Sequence, residues 1–68
     1  MNDDILNMSL RKFLKKVGVT SQREIENAVK EALESGRLKG HERLAAKVHL
    51  TIPAASLDVE IDGDIELE

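Results

Sequence analysis

Between Arg43 and Ile52, the apolar residues Leu44, Ala46, Val48, Leu50 and Ile52 alternate with Arg43, Ala45, Lys47, His49 and Thr51. This is the period of two that turns one face of a strand toward a core and the other toward water. The alternation resumes at Leu57, with Leu57, Val59, Ile61, Ile65 and Leu67 on one parity and Asp58, Glu60, Asp62, Asp64 and Glu66 on the other. Pro53-Ala54-Ala55-Ser56 separates the two runs, so they predict an antiparallel ribbon with strands at about 43–52 and 57–67. Setting Ile52 opposite Leu57 matches both faces at once. Leu50 then meets Val59, Val48 meets Ile61, Ala46 meets Gly63 and Leu44 meets Ile65, while Arg43 meets Glu66, Lys47 meets Asp62 and His49 meets Glu60. A slip of one residue would send every apolar side chain to the wrong face. Asp62-Gly63 is the ambiguous point, because the same dipeptide signals a tight turn. A continuous strand with Gly63 opposite Ala46 preserves the pattern, and a bulge is the main alternative.

The N-terminal half carries a helical period. Leu6, Leu10, Phe13, Leu14 and Val17 fall within about a third of a helical circumference. Asp3 or Asp4 suits the start and Gly18 the end, predicting a helix over residues 3–17. Val19-Thr20-Ser21 reads as a linker, with the Ser21 and Glu24 spacing of a capping box. A second helix over residues 21–35 follows, its stripe formed by Ile25, Ala28, Val29, Ala32 and Leu33 and its end marked by Gly36. The predicted fold is a single α+β domain, residues 1–68, of order α-α-β-β, with a helical hairpin laid on one face of the ribbon. Two strand edges remain open, and self-pairing across a two-fold axis would make a four-stranded sheet and a homodimer.

Length strengthens that expectation, since a single core in 68 residues barely offsets the entropy of ordering the chain. The absence of Cys removes disulfides, thiol nucleophiles and the usual structural zinc ligands, in keeping with a reducing cytoplasm. The acidic start and the lack of a long apolar run predict neither a signal peptide nor a membrane segment. Leu67-Glu68 is also a pair that vectors place before purification tags, although Leu67 keeps the alternation. The net charge of −3 is unevenly spread: residues 1–40 carry eight Lys or Arg against six Asp or Glu, and residues 41–68 carry two against seven. Opposite signs within one small chain favour docking between its parts or copies over binding a polyanion across the whole surface.

Candidate chemistry is sparse. His41, His49 and Glu60 are the nearest approach to a metal set, but a stable site needs three or four converging ligands, so no metal or cofactor is expected. The row of Asp58, Glu60, Asp62, Asp64 and Glu66 reads as a solvated strand face, because alternate residues on an open face do not form the partly dry site that acid–base catalysis requires. No catalytic residue is assigned and no enzymatic activity is expected. Ile5, Met8, Arg11, Lys12, Lys15 and Lys16 lie outside the first helical stripe and form the candidate partner strip, suited to an acidic protein. The alternative function is a small nucleic-acid-binding regulator of helix-turn-helix type, with Gln22, Arg23, Asn27 and Lys30 facing a major groove. Glu26 and Glu31 would meet phosphates with the wrong sign, and the single aromatic residue, Phe13, argues against a base-stacking platform.

Met1-Asn2-Asp3-Asp4, the run from Leu10 through Lys15-Lys16-Val17-Gly18-Val19-Thr20-Ser21 to Glu26, Gly36-Arg37-Leu38-Lys39-Gly40 and Ile61-Asp62-Gly63 together resemble a family of small bacterial proteins catalogued as a domain of unknown function. The resemblance spans the chain and implies a bacterial, cytoplasmic, stand-alone protein. It carries over no activity, cofactor or site residue. The reading that results is a non-enzymatic protein–protein interaction module, homodimeric, without membrane association.

Overall fold

The computed structural model describes all 68 residues and contains one helix, α1 (Asp3–Glu34), and two strands, β1 (Arg43–Ile52) and β2 (Leu57–Glu66), joined by a 3-10 turn at Pro53–Ala55. The chain forms two compact units, Met1–Arg37 and Leu38–Glu68.

The expected helical hairpin is corrected to a single helix of 32 residues. Val19, Thr20 and Ser21 are not a linker, and Ser21 caps nothing; all three are helical, as is Gly18. The energetics explain the difference. Breaking a helix leaves four N–H groups and four carbonyls unpaired at the new ends, whereas carrying one glycine through the interior costs about 1 kcal/mol relative to alanine. No proline interrupts the run, and Gly18 keeps a negative φ. Continuity also keeps the apolar pattern in phase. Leu6, Leu10, Phe13, Leu14, Val17, Ser21, Ile25, Ala28 and Ala32 fall within about 120° of one another at 3.6 residues per turn, and Val29 and Leu33 lie beyond one edge of that arc, so the faces assigned to two helices overlap in one broad stripe that shifts around the helix toward its C-terminal end.

The helix begins at Asp3, within the expected start, but neither acid is its cap. Asn2 is the cap, its Oδ1 accepting from the backbone N–H groups of Asp4 at 3.0 Å and Ile5 at 3.1 Å. Asp3 and Asp4 instead occupy the first turn, where their charge meets the positive end of the helix dipole. At the far end the Ser35 N–H donates to the Glu31 carbonyl and the Gly36 N–H to that of Leu33. Gly36, at φ 81°, supplies the left-handed residue that stops the helix.

The ribbon adopts the register that both faces dictate. Ile52 pairs with Leu57, Leu50 with Val59, Val48 with Ile61, Ala46 with Gly63, Leu44 with Ile65 and Arg43 with Glu66. Gly63 is an ordinary strand residue opposite Ala46, neither turn nor bulge. Pairing extends one step beyond the strands, since the Leu67 N–H donates to the Glu42 carbonyl at 3.2 Å. In the connecting turn Pro53 fixes the first 3-10 residue, and Ser56, at φ 53°, reverses the chain while its N–H donates to the Pro53 carbonyl.

No side chain in either unit is buried. Val17, Ser21, Val29 and Ala32 are the half-covered positions of α1, and Leu44, Ala46, Leu50, Leu57 and Ile65 those of the ribbon's apolar face.

A Cβ added at Gly18 would meet no atom within 4 Å. Gly18→Ala should therefore raise stability by about 1 kcal/mol in urea denaturation followed by circular dichroism. A left-handed helix-ending glycine would give the opposite sign, and a loss on substitution would restore the hairpin.

Candidate interaction surfaces

Continuity of α1 brings the two candidate sets together on one rod. Ile5, Met8, Arg11, Lys12, Lys15 and Lys16 are all exposed, Ile5 by 66% and Met8 by 72%. At 100° per residue they occupy the side away from the apolar stripe, Arg11 and Lys16 lying nearest its edges. Gln22, Arg23, Asn27 and Lys30 are exposed on the same helix, and Arg23, Asn27 and Lys30 prolong the line of Lys12 and Lys16. The helix-turn-helix arrangement proposed for these four has no turn, because residues 18–21 are helical, and so there is no separate recognition helix.

On the polar face of the ribbon two ion pairs and one histidine–carboxylate hydrogen bond cross between strands. Arg43 Nη2 lies 2.7 Å from Glu66 Oε1, as the register predicts. The other two are displaced by one pair toward the turn: Lys47 Nζ reaches Glu60 Oε2 at 2.9 Å, and His49 Nε2 lies 2.7 Å from Asp58 Oδ1. Lys47 still faces Asp62 and His49 still faces Glu60 along the backbone. Diagonal neighbours lie within reach of long side chains, and strand twist carries one diagonal closer than the other. All six partners are more than half exposed, so each pair contributes well under about 1 kcal/mol. His49 and Glu60 are thus cross-strand neighbours, as expected, while the imidazole contacts Asp58, and no three His, Asp or Glu side chains converge as metal ligands would.

Ala45, Ala46, Lys47, Asp62, Gly63 and Asp64 line a shallow, open depression where small residues thin the ribbon. A second shallow groove runs along the helix between Phe13, Lys16, Val17, Thr20 and Ser21. Neither is enclosed, and no ionisable side chain is buried.

The best-organised polar group went unrecognised as such in the sequence. Glu42 accepts from three successive backbone donors: Lys39 N–H at 2.8 Å, Gly40 N–H at 2.9 Å and His41 N–H at 3.2 Å. Gly40, at φ 104°, gives the bend that turns these donors toward one carboxylate. The Lys39 hydrogen bond is the largest influence, and with its neighbours it outweighs partial desolvation to hold the Glu42 pKa at about 2, below its ordinary 4.5. The signal available was a carboxylate two residues after a glycine at the entrance to a strand. Through these bonds Glu42 ties the backbone of residues 39–41 to the entrance of β1.

The chain belongs to the family of unknown function DUF6494, whose family model matches residues 1–68. No curated protein matches the chain, and no solved structure does. No helix is long and apolar enough to cross a membrane.

Because the folded-state pKa of Glu42 is depressed, its stabilising contribution is complete above about pH 4.5 and disappears as pH falls through about 2. Glu42→Gln should lower the thermal midpoint at pH 7, and the gap to the unsubstituted chain should close between pH 4.5 and 2. A gap that stays constant over that window would remove the charge from the explanation.

Proposed function

We propose that this protein is a non-enzymatic interaction module that works as a homodimer. One observation carries the reading: the apolar face of each unit is largely uncovered. Leu6, Leu10, Phe13, Leu14, Ile25 and Leu33 on α1 are between 38% and 58% exposed, and Val48, Ile52, Val59 and Ile61 on the ribbon between 41% and 55%. Isolated exposed apolar residues are ordinary, but stripes that keep the helical and strand periods are surfaces built to be covered. A single helix and a two-stranded ribbon are each marginal in water without such cover.

A second copy supplies surface of matching character at no cost in specificity. The contacts on offer are the stripe of α1, the apolar face of the ribbon and the outer edges of β1 and β2, whose self-pairing would make a four-stranded sheet. The outer strip of Ile5, Met8, Lys12 and Lys15, with Arg11 and Lys16 at its margins, points away from the stripe. It remains available in a dimer for an acidic protein partner. The open depressions suit neither substrate enclosure nor water exclusion, which supports a binding role over a catalytic one.

Sedimentation equilibrium at micromolar concentration should return twice the mass of 7.6 kDa, and the thermal midpoint should rise with protein concentration. A monomer mass with a midpoint independent of concentration would reject self-association.

A further inference from the structure

The two edges of the ribbon are chemically unlike. The Leu67 N–H donates to the Glu42 carbonyl, and the register of β1 and β2 continues in step from that pair. In an antiparallel ladder every second residue turns its N–H and C=O toward the partner strand, and the residues between turn theirs away. Leu44, Ala46, Val48, Leu50 and Ile52 therefore bond to β2, while the backbone groups of Arg43, Ala45, Lys47, His49 and Thr51 point outward from β1. On β2 the outward set is Asp58, Glu60, Asp62, Asp64 and Glu66. The sheet has two strands, so no third strand pairs with either set.

This phase limits what a second copy can pair with. Strands joined edge to edge bring outward residues opposite outward residues, and a two-fold axis normal to the sheet keeps both apolar faces on one side. For β2 against β2, every polar pair in every register is then carboxylate against carboxylate. Charge of one sign along an edge protects it from such pairing. β1 carries no acid, proline or bulge between Arg43 and Ile52. Its two cations are already held by β2, Arg43 by Glu66 at 2.7 Å and Lys47 by Glu60 at 2.9 Å. A head-to-tail join of β1 to β2 matches charge, but it leaves one edge of each kind free at the ends of the assembly and extends without closing. Of the two joins that close at two copies, only β1 against β1 avoids a row of opposed like charges.

We infer that the homodimer is a four-stranded sheet of order β2-β1-β1-β2, with β1 antiparallel to its copy about a two-fold axis at Val48. The inference rests on the homodimer reading and assigns its interface. Because outward residues must face each other, the axis passes through a residue and not between two. An axis at Lys47 opposes that lysine to its copy, and axes at Ala46 or His49 pair only seven residues of β1. At Val48 the pairing covers nine, residues 44–52. Val48 then meets its copy, Ala46 meets Leu50, Leu44 meets Ile52, Ala45 meets Thr51 and Lys47 meets His49, with no lysine or arginine opposite another. The apolar faces of the two ribbons become one continuous face.

Amide hydrogen exchange in the unsubstituted full-length chain reads the two edges directly, by NMR at a concentration where sedimentation gives twice the monomer mass. Relative to intrinsic rates, the amides of Ala45, Lys47, His49 and Thr51 should exchange more slowly than those of Glu60, Asp62 and Asp64 by about tenfold or more. The reverse order would overturn the inference and leave the homodimer in place. A dimer in which both sets exchange freely would do the same, moving the interface away from the ribbon edges. Protection of both sets in an assembly whose mass keeps rising with concentration would establish the head-to-tail join and overturn inference and homodimer together. A monomer mass would also remove both. The axis has its own test, since the chain contains no cysteine. Val48→Cys should oxidise to a linked dimer, because directly opposed residues of a non-hydrogen-bonded pair hold their Cα atoms about 4.5 Å apart. Ile61→Cys, opposite Val48 on β2, lies three strand spacings from its copy, about 14 Å, and should stay reduced. A linked Ile61→Cys dimer with unlinked Val48→Cys would overturn the assignment of β1 and its axis.

Discussion

Unbroken backbone hydrogen bonding through residues 18–21 is the constraint on which the rest of the N-terminal unit depends. A glycine followed by two β-branched residues is weak helical material, but two new helix ends would expose more unpaired backbone than that weakness costs. Once α1 runs from Asp3 to Glu34, two short amphipathic faces become one long stripe. The basic segment around Arg11–Lys16 and the acidic segment around Glu24–Glu34 become opposite ends of a single rod. The helical face then reads as a surface for association, and the turn needed for a recognition helix is gone.

The ribbon depends on a different kind of agreement. Its strand pairing is specified several times over, by apolar alternation on one face, by complementary charge on the other and by a Pro-initiated turn whose length allows only one closure. Redundancy of this kind makes register robust to the loss of any one pair. The side-chain contacts on that face are weak and secondary: two of the three reach diagonally, which the backbone pairing tolerates because exposed side chains choose among neighbouring carboxylates. Glu42 contributes more order than any of them. Its carboxylate gathers three amide donors just before β1, holding the segment after Gly40 in the geometry from which the strand begins.

Both units therefore have well-determined backbones and uncovered apolar faces. With such faces, a partner that binds only the ordered helix or ribbon would add its binding free energy to the stability of that order. A chain of this size with no disulfide or metal has few other sources of stability. The outer basic strip lies on the opposite side of the same helix.

The ribbon was legible in the sequence almost residue by residue. Strand period, turn chemistry and cross-strand charge are local or near-local signals that point to one register, and the helical character of the N-terminal half was equally plain from its 3.6-residue period. The sequence by itself also determined the stripe positions, since Leu6, Phe13, Ile25 and Ala32 occupy the apolar face whether the helix is broken or whole. Only the structure decided that it is whole. A glycine after an amphipathic segment and a serine three residues before a glutamate have the same appearance at a true boundary as in mid-helix, because the pattern records preferences of about 1 kcal/mol and not the larger cost of new helix ends. Convergence of the amides of Lys39, Gly40 and His41 on Glu42 was likewise decided in three dimensions, because it depends on the left-handed bend at Gly40. The diagonal choice of Lys47 and His49 followed the same rule: strand twist sets which carboxylate lies nearest, and alternation along the chain carries no record of twist.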